Sequence, residues 1–187
     1  MRNAQGNTLI EILVAIVIVV VGLLGLAGLQ SRATLAEMEA YQRAQALVLV
    51  QDMADRIASD RKNAMAFVTA SPVGADVGYV ACGTTPGPAQ DQCEWSNALV
   101  GAGESASGSK VGAMIGARGC VINTVAAMPR QFTVAVVWQG LNPTAIPAST
   151  NCGAGLYGDE RTRRAVTLNV TIGCLQNDPV TLTCVTP

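Results

Sequence analysis

Histidine is absent from all 187 residues. Without it neither a Ser-His-Asp nor a Cys-His nucleophilic arrangement can be assembled. The six cysteines contain no CxxC pair, the close spacing that zinc sites built on cysteine alone use, so neither a metal nor another cofactor is expected. Charge is scarce too: 13% of residues are Asp, Glu, Lys or Arg, the net charge is −1, and there is no long basic run. Nothing supplies the phosphate-neutralising surface that nucleic acid requires, so nucleic acid is not an expected partner. Proline and glycine are missing between Gln30 and Phe67, which leaves that stretch free to continue as helix.

What is present is concentrated at the N-terminus. Ile12 to Leu29 are 18 consecutive uncharged, mostly β-branched or Leu residues. As a helix they span about 27 Å, enough to cross a bilayer core. A secretory signal peptide competes with this reading, but its apolar region is usually shorter, and Ala27 and Gly28 form only a weak cleavage signal. A plain signal anchor is the second competitor. Glu11 separates them, because it places an acid directly before the apolar run, where a carboxylate near hydrocarbon costs several kcal/mol unless paired. Gly22, Gly25 and Gly28 recur every third residue, giving either a slim face for close helix approach or a generic membrane glycine stripe.

Cys82, Cys93, Cys120, Cys152, Cys174 and Cys184 all follow the apolar run and are even in number, which favours disulfides and an oxidising compartment such as the periplasm or cell surface. Six cysteines allow fifteen connectivities. A sequential set is preferred, with Cys174 and Cys184 tying a hairpin and Cys152 pinning a long loop to Cys120.

Gly6-Asn7-Thr8-Leu9-Ile10-Glu11, followed at once by the apolar helix, resembles the prepilin signature of the type IV pilins. The resemblance implies that prepilin peptidase cuts after Gly6, that the new N-terminal residue Asn7 is methylated, and that Glu11 becomes the fifth mature residue, where the family keeps its acid. Asn7 departs from the Phe or Met usual there. The new α-amino group and the Glu11 carboxylate lie about one turn apart, and each needs a counter-charge in a filament core. At 4 Å such a pair is worth about 4 kcal/mol at an effective dielectric near 20, before desolvation. Pairing Glu11 with a neighbour's amine would register subunits.

The resemblance and the periodicity together predict an α+β pilin fold, a long N-terminal helix packed on an antiparallel sheet. The expected organisation is a leader at 1–6, a membrane or filament-core helix at 7–30, an amphipathic stalk helix at 31–67 and a disulfide-bearing β-rich domain at 68–187. Leu35, Met38, Ala46, Leu49, Met53 and Ile57 would form the stalk's apolar stripe. Gln51 to Ile57, Arg61-Lys62-Asn63 and Leu24 to Gln30 are similar to segments of PilV-type minor pilins; a simple Asp52–Arg56 surface pair is the alternative for the first.

Val73 to Val111 reads as loop with one strand near Val77 to Cys82 and a short helix beginning at Cys93. Strands are expected at Phe132 to Trp138, Ala165 to Cys174 and Val180 to Val185, with Phe132, Val134, Val136 and Trp138 on one face. Pro143 to Tyr157 is a long loop. Gly101 to Glu104 and Gly112 to Gly119 lack the strand, spacing and Lys of a phosphate loop and read as flexible connections. Asp159 and Glu160, beside Arg161, Arg163 and Arg164, read as a solvated charge cluster rather than an acid-base pair, with a subunit contact as a further reading.

No catalytic residue is expected. The resemblance implies a minor pilin held in the bacterial inner membrane by one span, with its C-terminal domain periplasmic, and later part of a surface pilus. Its implied partners are other minor pilins, the major pilin, prepilin peptidase and the inner-membrane assembly platform. A type II secretion pseudopilin shares every N-terminal feature, and a tip-exposed adhesive or binding module is the alternative from another class. A membrane-anchored enzyme is the third.

Overall fold

A computed structural model of the chain describes residues 8–101, 105–106, 109–110 and 114–174. The chain divides into two compact units, residues 1–40 and 41–187. Helix α1 is Leu9–Ser59. It opens behind Thr8, whose carbonyl accepts from the amides of Glu11 at 3.0 Å and Ile12 at 3.3 Å. In the first unit every described residue from Thr8 to Met38 is exposed. In the second, Gln42, Ala46, Val50, Met53, Ala54 and Ile57 are buried at helical spacing. Leu35 and Met38, expected on the same stripe, are 39% and 48% exposed. They precede the point where the helix meets the rest of the second unit's core.

The α-helix stops at Ser59 rather than continuing to Phe67. Asp60 takes non-helical angles (φ −108°, ψ 64°), and Arg61–Phe67 is a 3₁₀ helix. The tighter winding brings residues three apart onto one face, and it is Ala64 and Phe67, three apart, that are both fully buried.

Strand β1 (Val73–Gly74) and helix α2 (Pro88–Leu99) follow, then a small antiparallel pair β2 (Ser105–Ala106) and β3 (Ser109–Lys110), then β4 (Ile115–Val125), β5 (Arg130–Gln139) and β6 (Arg163–Ile172). The main sheet has the order β1-β4-β5-β6, antiparallel throughout. No strand forms at Val77 to Cys82, and α2 begins five residues before Cys93, at Pro88, where a missing N–H costs nothing in the first turn. Ile115 to Gly119, expected as a flexible connection, is strand. The sheet hides this from composition, because Gly119 is small for a packing reason: a Cβ there would collide with the Trp95 ring and come within 2.8 Å of a Leu99 methyl. Gly74 carries φ +109°, and its Cβ would meet the Ala117 carbonyl at 2.5 Å.

One face of the sheet closes the core. Phe132, Val134, Val136 and Trp138 of β5 lie on it, as expected, with Val170 and Ile172 of β6, and they cluster with the α1 stripe, Phe67, Trp95 and Leu99. Trp95 donates its indole N–H to the Leu49 carbonyl at 2.8 Å, which ties α2 to α1. The architecture is therefore α+β, an N-terminal helix whose second half packs on a four-stranded antiparallel sheet. The predicted strand at Val180 to Val185 lies outside the described residues.

Candidate functional site

The N-terminal unit is a helix with no packed side. Its most apolar 18-residue stretch has a mean hydropathy of 3.1, and none of it is buried. The helix is long and apolar enough to cross a membrane. Contiguous apolar surface on this scale far exceeds what a soluble monomer exposes, so it requires lipid or other helices around it. Glu11 lies in the first turn, where the helix dipole favours an acid, and is exposed. Gly6 and Asn7 lie outside the described residues. A Cβ at Gly22, Gly25 or Gly28 would meet nothing within 4 Å among the described residues.

The globular unit carries two charge clusters that composition did not reveal. Asp52 and Arg56 form the expected i,i+4 pair at 3.1 Å, but the same guanidinium also reaches Asp91 at 2.6 Å and Glu94 at 3.0 Å on α2. Burial works against the Arg56 charge, and the hydrogen bonds it donates to Glu94, Asp91 and Asp52 outweigh that and push its pKa up. Glu94 is held below the usual carboxylate range by Arg56. Arg56 is thus a second tie between α1 and α2, which no local spacing rule predicts because its partners are 35 and 38 residues away.

The second cluster lies on the opposite face of the sheet, under the 140–162 loop. Cys120 is bonded to Cys152, and both are buried. Tyr157 places its hydroxyl 2.8 Å from the Gly116 carbonyl, and its ring lies 4.8 Å from the Arg118 guanidinium, which grips Asp76 at 2.6 Å. Arg163, expected as part of a solvated cluster, is only 2% exposed. It donates to the Thr150 carbonyl at 2.9 Å and the Cys152 carbonyl at 3.2 Å and pairs with Glu160 at 2.7 Å. The correction has a simple cause: the strand that begins at Arg163 turns its first side chain beneath the loop, and only there do carbonyls replace water. Asp159 and Arg161 do remain an exposed pair.

Glu160 is held below its ordinary value near 4.5 by the Gly155 amide, which it accepts at 2.7 Å, and then by Arg163. A carboxyl with a depressed folded-state pKa contributes stability that is complete above its unfolded pKa and is lost as pH falls through the folded one. Glu160→Gln is therefore expected to leave a flatter acid limb in a urea-midpoint profile taken from pH 7 down to pH 3. An unchanged acid limb would show that the Glu160 clamp does not contribute.

Cys82 is bonded to Cys93, and Cys174 is also disulfide-bonded; Cys184 lies outside the described residues. Among the described residues no three Asp, Glu or Cys side chains form a group that could hold a metal.

Residues 1–27 match the family model described as the prokaryotic N-terminal methylation motif. No curated protein and no solved structure matches the chain. The motif, the membrane-competent helix and the α+β architecture are together similar to those of type IV pilin-like proteins, pseudopilins included.

Proposed function

We propose that this chain is a PilV-type minor pilin of a type IV pilus, stored in the inner membrane and joining other minor pilins in a complex that primes or caps the filament. Its role is assembly rather than catalysis. The observation that carries this reading is the N-terminal methylation motif at residues 1–27 running directly into an exposed apolar helix. The finer assignment is supported by the stalk segment from Gln51 to Ile57 and by the 120 residues after Phe67, a substantial disulfide-bearing domain.

In this role prepilin peptidase cleaves between Gly6 and Asn7, Asn7 receives the N-methyl group, and Glu11 pairs with the amine of a neighbouring subunit. The globular unit is periplasmic until the subunit enters the pilus, and the assembly platform and major pilin are its remaining partners. Purification from membranes with bound proteins identified by mass spectrometry tests the proposal. The expected result is a mature N-terminus at Asn7, carrying a methyl group, with other prepilins of a pilus system retained. Retention of secretion pseudopilins would assign the chain to the type II secretion system instead, and an intact Met1 to Gly6 leader in the membrane-purified protein would overturn both.

A further inference from the structure

The two disulfides described in full differ in a way that carries chemistry. Cys120 and Cys152 are 6% and 4% exposed beneath the loop that Arg163 and Tyr157 fasten. Cys82 and Cys93 are both partly exposed, and they bridge an irregular segment to α2 at a sequence separation of 11. Cys93 lines an open groove of about 220 Å³ whose other walls include Val73, Val77, Val80 and Ala89. The Cys82 sulfur lies instead on the Asn97 amide, 3.1 Å from Nδ2.

Asn97 is 9% exposed and fully used. Its Oδ1 accepts from the Val80 amide at 3.0 Å, and its Nδ2 donates to the Val80 carbonyl at 2.7 Å. An amide NH₂ has two hydrogens, so the second is available to Cys82 Sγ. These contacts tie the segment to α2 beside the disulfide and place an N–H donor on one sulfur of the pair.

We propose that Cys82–Cys93 is a thiol-exchange site, attacked at Cys93 Sγ from the groove, with Cys82 as the leaving sulfur and a small dithiol as the reacting partner. Exchange needs a thiolate that reaches one sulfur in line with the bond and a leaving thiolate that is stabilised as it departs. The groove gives access at Cys93, and the Asn97 N–H stands beside the leaving sulfur at Cys82. In the first step a thiolate of the donor bonds to Cys93 Sγ while the Cys82–Cys93 bond breaks and its electron pair goes to Cys82 Sγ. In the second, the donor's other thiolate attacks its own bridged sulfur and releases Cys93. The donor leaves as a disulfide, oxidised by two electrons, and its two protons end on Cys82 and Cys93. The Val80 carbonyl, which already accepts from Asn97 Nδ2, has one further lone pair for a reduced thiol and lies 3.6 Å from Cys82 Sγ and 3.8 Å from Cys93 Sγ.

The test treats the full-length protein, in detergent and without denaturant, with reduced glutathione, quenches it with an alkylating agent and maps each cysteine by peptide mass; a parallel series uses dithiothreitol. The expected intermediate carries glutathione on Cys93 and the alkyl group on Cys82, and in dithiothreitol Cys82–Cys93 opens while Cys120–Cys152 stays bonded. Glutathione on Cys82, opening of both pairs at one rate, or no adduct in the folded protein would each overturn the proposal. Asn97→Asp removes the N–H donor and puts a carboxylate beside the leaving thiolate, so the first step is expected to slow by about tenfold or more. An equal or faster rate would remove Asn97 from the mechanism and the proposal with it. If that variant does not fold, which loss of Cys120–Cys152 protection would reveal, the wild-type mapping decides alone.

Discussion

Trp95→Ala is expected to lower the stability of the globular unit by about 3–5 kcal/mol, a large part of what a domain of this size has. The ring is fully buried, it contacts the α1 stripe and the sheet within one cluster, and its N–H is the donor to Leu49 O. Truncation leaves a cavity between two helices and a strand that cannot all close on it. The complementary change, Gly119→Ala, is expected to cost about 1–3 kcal/mol by overpacking, because the new Cβ collides with the Trp95 ring and the neighbouring strands fix the backbone.

These two positions share one contact, so their effects are not additive. The double variant Trp95→Ala, Gly119→Ala is expected to be more stable than the sum of the singles implies, by about 1 kcal/mol or more. Urea unfolding of the full chain in detergent, followed by tryptophan fluorescence, reads all three variants, since Trp138 is buried and remains in each of them. Simple additivity would show that Gly119 is not the seat of the ring.

Glu11→Gln is expected to reduce incorporation into filaments by about tenfold or more while leaving membrane insertion and the globular unit unchanged, given the several kcal/mol at stake when one member of a buried pair is removed. The loss arises at the neighbouring subunit. If Glu11 pairs with the amine of the next subunit, the neutral amide leaves that amine buried without a counter-charge. Glu11→Asp keeps the charge and shortens the reach, so it should fall between wild type and Gln. Quantifying the chain in sheared pilus fractions against membrane fractions measures this. Equal incorporation of Glu11→Gln would show that Glu11 is not a register. Glu11 is distant in sequence from the globular unit's packed residues, Gln42 onward, so altered urea unfolding of that unit would point to an unrelated defect.

How much could be read beforehand depended on how local the cause was. The β5 inward face, Phe132, Val134, Val136 and Trp138, was legible because alternation is a property of the strand itself. The Asp52–Arg56 pair was legible because four residues is one helical turn. β4 was not, since glycines at 116 and 119 resemble a linker until Trp95 is placed against the second of them. Arg163 was misread for the same kind of reason: the carbonyls that accept its protons belong to Thr150 and Cys152, in a loop whose path is set by a disulfide.

By itself the sequence determined the N-terminal unit, its helix, its membrane-competent length and the acid in its first turn, because those depend on composition along a single continuous segment. It also determined that the domain would be disulfide-bearing and partly antiparallel. Only the tertiary structure decided where α1 stops packing, which arginine is buried, and which cysteine of the Cys82–Cys93 pair lines the groove. Each of these depends on groups 11 or more residues apart along the chain arriving at one place. Such arrivals are fixed by the closing of the core rather than by any local preference.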